Sequence, residues 1–394
     1  MLRICLGLLF ALAAFSAQAQ VIIFGDSLSD IGNLPESPNI FWDNAKPPSL
    51  SNLVPQWYVP FSNPVDTQSN DAKPGGWPIL DNQLLFPQPA VNQIARKYRS
   101  MSWTQFFVDQ ENSGAKIVPS QRLSAISLPT TLSVNYAWGY ATSDWYCVNP
   151  YYEPISPCAA KSIAKARADY VAHPESTQYQ SLQIPGVASQ IALFINDVRS
   201  HRVLVTTDTR YFLWIGGNDL ISSTFSMLHH QNPFPFLRYL GGKTSRNIIQ
   251  GITILLHHLP ARQRPDKVYV LTLFNPQLTP GFHNHFFLSL LGNFAVHIAN
   301  GWIRLDAATF NLFSSTKIVV LPAYDWFQKA ANNRQFRPHV GETCQLHAHY
   351  TNPQKIPKTN CQGYLFWNDV HPALPMQILI AKHAVCEVIH TDCG

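Results

Sequence analysis

The chain predicts an α/β fold on a parallel sheet, and three observations carry that expectation. Five short apolar, β-branched runs, at 21–24, 132–137, 211–215, 267–273 and 317–321, have the length and composition of buried strands. Stretches with helical spacing of apolar residues lie between or after them, at 187–198, 244–259, 287–309 and 374–388. Strands that alternate with helices imply a sheet covered on both faces.

The N-terminal segment, Met1 to Ala19, reads as a secretory signal. It has an early Arg3, an apolar core from Leu6 to Phe15, and Ala17-Gln18-Ala19 as a small-residue cleavage site. That core is too short to span a bilayer, and Cys5 lies too early to be a lipid-attachment cysteine. No later stretch reads as a run of about 18 uncharged apolar residues. A soluble, secreted or periplasmic protein is expected.

The first strand, Val21 to Phe24, runs into Gly25-Asp26-Ser27-Leu28 and then Ser29-Asp30-Ile31-Gly32-Asn33. A glycine there lets the chain turn sharply and present Ser27 at the carboxyl end of a strand, where open α/β sheets carry their chemistry. Taken alone, Ser27 also fits a helix-capping turn. Residues 34–100 break the alternation. Pro47-Pro48, Asn63-Pro64 and Pro74-Gly75-Gly76 mark turns, and the aromatic content argues for an ordered insertion beside the cleft. A second irregular stretch covers 143–186. At 187–198, Ile191, Phe194, Ile195 and Val198 recur at helical spacing. The strand 211–215 ends in Gly216-Gly217-Asn218-Asp219, and Pro372 and Pro375 mark the start of the last helix. Length allows two domains, but one α/β unit over 20–394 with two insertions fits better.

Composition narrows the class further. Charged residues make up 13% of the 394-residue chain, about half the usual share. The net charge of +5 is mild, with no basic run or stacking array of the kind that binds nucleic acid, although it favours an anionic membrane surface slightly. Six of the seven cysteines follow the signal, an even count that favours disulfides in an exported chain. Proximity pairs Cys147 with Cys158, Cys344 with Cys361, and Cys386 with Cys393. Cys344, His347, His349 and Cys361 leave a zinc site open as the alternative, on a spacing that matches no familiar site.

A serine, a glycine–asparagine turn and a C-terminal histidine are the parts that acyl transfer requires: nucleophile, oxyanion donor and base. The histidine is His371, in Phe366-Trp367-Asn368-Asp369-Val370-His371-Pro372. Together with Asn135-Tyr136-Ala137-Trp138-Gly139-Tyr140-Ala141-Thr142, these stretches make the chain resemble the GDSL, or SGNH, esterase and lipase family over nearly its whole length. The likeness is greatest to the secreted bacterial lysophospholipase and glycerophospholipid–cholesterol acyltransferase branch. It implies a three-layer, flavodoxin-like SGNH hydrolase fold with a five-stranded parallel sheet and large loop insertions.

The resemblance also implies roles. Ser27 is the nucleophile and His371 the general base. The Ser27 and Gly139 N–H groups and the Asn218 side chain form the oxyanion hole, while Asp219 fixes its loop. The chain departs from the family at two positions. Tyr140 stands where the family has a second glycine, and Asn368 where it has the aspartate that orients the histidine, with Asp369 one residue later. Asn368 and Asp369 both remain candidates for orienting His371. The implied activity is hydrolysis of lipid esters, as a lysophospholipase or phospholipase A, through an acyl-serine. A sterol or glycerol is an acceptor that competes with water, and neither a metal nor an organic cofactor is needed. The rivals are a short-chain or carbohydrate esterase and a degenerate binding protein on the same fold. The Cys344–Cys361 loop, directly before the histidine, is a candidate lid or processing site; simple stapling of a surface loop is the alternative.

Overall fold

The structure, a computed structural model, describes residues 19–31, 33, 102–111, 117–120, 123, 129–145, 147–148, 154–155, 184–229, 231–342, 363–366 and 370–389. The signal segment, the insertion at 34–100, the paired residues Asn368 and Asp369, and the Cys344–Cys361 loop with its zinc alternative lie outside the described residues. The elements begin with β1 (Val21–Gly25), α1 (Trp103–Glu111), β2 (Ile117–Pro119) and β3 (Ser133–Asn135). Next come β4 (Cys147–Val148), β5 (Pro154–Ile155), β6 (Ile184–Pro185), α2 (Val187–Arg199), β7 (Arg210–Trp214) and α3 (Gly217–His229). The chain continues through α4 (Phe234–Leu240), α5 (Lys243–His258), β8 (Lys267–Leu271), α6 (Phe286–Phe313), β9 (Lys317–Leu321), α7 (Ala323–Asn332) and α8 (Leu374–Ile389).

The main sheet has six strands in the order β2-β3-β1-β7-β8-β9, and every pairing in it is parallel. Leaving out β2, the five predicted strands stand in the order 2-1-3-4-5, which is that of flavodoxin-like sheets. The sixth strand corrects the expectation of five. Ile117-Val118-Pro119 is too short to stand out as an apolar run, and its proline confines it to the sheet edge, where it lies. The stretch 143–186, read as irregular, contains a second, three-stranded antiparallel sheet of β5, β4 and β6. Two-residue strands leave no sequence period to detect.

Period-two alternation sorts the side chains of the main sheet into two layers. Val21, Ile23, Phe212, Trp214 and Leu271 face α1, α7 and α8, where they pack with Trp103, Phe107, Phe327 and Ile380. Ile22, Phe24, Tyr211, Leu213 and Val268 face α2, α5 and α6, among Ile191, Phe194, Ile252 and Ile303. A third cluster lies beyond the carboxyl edge, where Leu220, Phe236 and Tyr239 meet Leu273, Ala295, Val296 and Ala299. The 28-residue α6 is long and apolar enough to cross a membrane by length and composition, against the expectation that no such run existed. In this fold, however, it buries Ala295, Ala299, Ile303 and Ala307 against its neighbours. Cys158, Cys344, Cys361 and Cys393 lie outside the described residues.

Candidate active site

The strand order reverses between β1 and β7, because the chain leaves β1 toward β3 on one side and later returns to β7 on the other. Such a switch point opens a crevice at the carboxyl edge. Both loops that flank it carry motif residues. Gly25 is paired with Trp214 at that edge. A Cβ on Gly25 would run into the Trp214 carbonyl oxygen, so only glycine fits. The next N–H, of Asp26, donates to the same oxygen at 3.2 Å. The chain then turns back on itself. The Leu28 N–H donates to Asp26 Oδ1 at 3.1 Å, and the Ser29 and Asp30 N–H groups donate to the Asp26 carbonyl at 3.0 Å. Ser27 sits half-buried on this turn, and among the described residues its hydroxyl makes no hydrogen bond.

The stretch 135–142 is sewn to the same turn. Asn135 Nδ2 donates to the Ser29 carbonyl at 2.6 Å, and the Trp138 N–H donates to the Gly25 carbonyl at 3.1 Å. Asn33 Nδ2 reaches the carbonyls of Asn135 and Ala137 at 2.7 and 2.9 Å. Asp30 closes the arrangement, accepting from the Asn33 N–H at 2.7 Å and from the Gly139 N–H at 2.9 Å. The Gly139 N–H, expected to face an oxyanion, is thus bonded to a buried carboxylate in this structure. Tyr140, where the sequence resemblance expects a glycine, has φ of 60°, the left-handed conformation that favours glycine.

The third stretch follows β7. Gly216 has φ of 122°, and a Cβ there would stand 2.8 Å from Thr244 Cγ2, so glycine is required on both counts. The Gly216 N–H lies close enough to the Asp26 carboxyl group to favour its charged form, which sets this loop beside the Ser27 turn. Asn218 and Asp219 fall in the first turn of α3, where backbone N–H groups and the helix dipole favour negative charge. Asn218 Nδ2 donates to the Ala141 carbonyl at 3.0 Å, a bond that fixes which end of the amide is the donor. Asp219 accepts from the Ser143 N–H at 2.9 Å and from its hydroxyl at 2.6 Å, so it anchors the loop as expected.

His371 is 4% exposed, next to an isolated antiparallel bridge between Phe366 and Pro372, and the Ala373 N–H donates to the Leu365 carbonyl at 2.8 Å. Leu28, beside Ser27, shares one buried cluster with Phe366 and Ala373. A relay of bonds joins the two segments. Gln377 Oε1 of α8 accepts from the Trp103 N–H at 2.9 Å, and the Trp103 indole donates to Ser29 Oγ at 3.2 Å. Asn368 and Asp369 belong to the sequence between Phe366 and His371 but are not among the described residues.

Burial controls the electrostatics. It drives the His371 imidazole down to about 3, which keeps the ring neutral at ordinary pH. Burial also raises Asp26 to about 7, with the nearby Asp219 charge adding to the effect against hydrogen bonds that lower it. Asp219 is raised for the same first reason, then by the charge of Asp144. Two carboxyl groups thus share a dry space behind the serine turn. Among the described residues no group of His, Cys, Asp and Glu is arranged to hold a metal ion.

Sequence reasoning missed Gln190. Its Oε1 accepts from the Gly25 N–H at 2.9 Å, and its Nε2 donates to the carbonyls of Gly25 and Pro185 at 2.8 and 3.1 Å. The available signal was a fully buried glutamine on a helix next to Ile191. It also missed Asp30, Asn33 and Asn135, whose partners lie about a hundred residues away in sequence. No family model matches the chain, and no curated protein matches it significantly.

Proposed function

We propose that the chain is a serine ester hydrolase of the GDSL type, acting on lipid esters as a lysophospholipase or phospholipase A. The observation that carries this reading is the joining of three remote motif stretches at one switch point. The Asp26 N–H binds the Trp214 carbonyl, Asn218 binds the Ala141 carbonyl, and Asp30 binds the Gly139 N–H, on the stretches that flank the half-buried Ser27. A structural turn alone would not require a serine at this half-buried position.

In the proposed reaction, Ser27 Oγ attacks the ester carbonyl carbon while its proton passes to His371, which is neutral and therefore able to accept it. The oxyanion is held by the Ser27 N–H and the Asn218 side chain at the positive end of α3. The tetrahedral species collapses, and the departing alcohol takes the proton from His371. Water, or an alcohol such as glycerol or a sterol, then attacks the acyl-serine by the reverse sequence. A ring lowered to about 3 resists becoming an imidazolium, so its charged form needs an opposing charge. The developing oxyanion supplies part of it, and Asn368 or Asp369 orients the ring. The lipid specificity and export follow from the sequence resemblance and the N-terminal signal.

A fluorophosphonate probe tests the reading directly. It is expected to label the wild-type chain at Ser27, to leave Ser27→Ala unlabelled, and to label His371→Ala at least a hundredfold more slowly. Labelling of Ser27→Ala at the wild-type rate would overturn it.

A further inference from the structure

We propose that the paired helices α4 and α6 form a docking face for an anionic phospholipid surface. The N-terminal half of α6 turns Phe286, Phe287, Leu290 and Phe294 outward, with the two adjacent phenylalanines 73% and 82% exposed. Their rings meet edge to face with centroids 5.5 Å apart. On a helix these positions fall within about 100° of arc, so they form one stripe. The opposite side of α6 buries Ala295, Val296 and Ala299. Helix α4 packs against α6, buries Phe236 and Tyr239 in the same third cluster, and leaves Phe234 and Leu237 exposed. Soluble proteins rarely leave so many large apolar side chains together in water without an interaction to cover them.

Charge identifies the occupant. Asp266 is the sole acidic residue between Asp219 and Asp306, and it precedes β8 at the amino edge of the sheet. The exposed stripe lies at the other edge, because Leu220 and Leu273, both just past strand ends, pack beneath it. On these two helices Arg238 and Arg304 are exposed, as are His283 and His285 just before α6. Aromatic side chains that enter the headgroup boundary, on helix segments that carry arginines and no acidic residue before Asp306, match an anionic bilayer surface. The face stands at the same edge of the sheet as Ser27, so docking would bring that edge to the lipid.

The test is co-sedimentation of the full-length chain with vesicles of phosphatidylcholine, alone or mixed with phosphatidylglycerol. The double variant Phe286→Ser/Phe287→Ser is the comparison. Both proteins carry the same N-terminal apolar stretch, so only the difference between them counts. The wild type is expected to bind mixed vesicles at least tenfold more tightly than phosphatidylcholine alone, and to lose that preference in high salt. The double variant is expected to bind at least tenfold less, with an unchanged thermal midpoint. Equal binding by wild type and variant would overturn the proposal. So would a wild-type dimer in light scattering that the double substitution dissociates, since a second copy would then be the occupant. Repeating the binding with Ser27→Ala keeps this inference separate from the hydrolase reading: a chain that cannot react should still bind.

Discussion

Tyr140 holds two opposed demands in one residue. Its φ of 60° costs a non-glycine residue about 1–2 kcal/mol. Its ring, 7% exposed, packs among Tyr136, Trp138 and Leu213 in the cluster behind the sheet. Removing a buried aromatic ring costs about 3–5 kcal/mol. Packing therefore outweighs strain, which explains how tyrosine stands where the family resemblance expects glycine. Tyr140→Gly should lower stability by about 2 kcal/mol or more in urea unfolding, even though it introduces the residue that the sequence resemblance expects. A more stable variant would mean that backbone strain dominates. Ser27, Asn218 and His371 stood out because each lies in a short local pattern of the residue types that acyl transfer requires. The bond that holds the Gly139 N–H was not legible. It depends on the Asp30 carboxylate reaching across 109 positions in sequence.

At the scale of elements, legibility followed length and period. The four helices predicted from apolar spacing are present as α2, α5, α6 and α8, and the five predicted strands are all in the main sheet. Helix α3 was hidden because it opens on Gly217 and Asn218, residues that read as a turn until β7 delivers them to a helix start. Helix α2 does more than cover the sheet. Strand β3 ends at Asn135, level with Ile23, so on that side the Gly25 N–H has no strand partner. The Gln190 side chain supplies one from the helix layer, and it also binds the Gly25 carbonyl. Gln190→Ala would leave the buried Gly25 N–H unpaired and take a donor from the Pro185 carbonyl, at about 1–3 kcal/mol for each group left short. The Gly25 carbonyl keeps the Trp138 N–H. The expected result is a loss of about 2–4 kcal/mol in stability and a larger fall in kcat than rise in KM, because the serine turn loses its support while the substrate cleft is untouched. A stability loss with unchanged kcat would confine Gln190 to a purely structural role.

For the molecule as a whole, buried titratable groups set a pH dependence whose sign follows from their positions. Asp26 titrates near 3.8 when unfolded and at about 7 when folded, so between those values the folded state keeps a proton that the unfolded state has released. Stability from this group is complete below pH 3.8 and declines as pH rises to about 7, by on the order of 4 kcal/mol in all. Asp219 acts in the same direction from the same lower limit. His371 opposes them. Unfolded, it gains a proton below 6.5, while the folded ring resists protonation down to about 3, so its contribution is lost as pH falls through that window. In the overlap, the single proton of His371 cancels the single proton of Asp26 because both terms have the same slope, about 1.4 kcal/mol per pH unit. Asp219 then tips the balance. The thermal midpoint should therefore fall as pH rises from about 4.5 to 7, and Asp26→Asn should flatten or reverse that fall by leaving His371 less opposed. Thermal unfolding across this range decides the matter: a wild-type midpoint that climbs steadily toward neutral pH would show that the carboxyl pair behind Ser27 is not held in its protonated form.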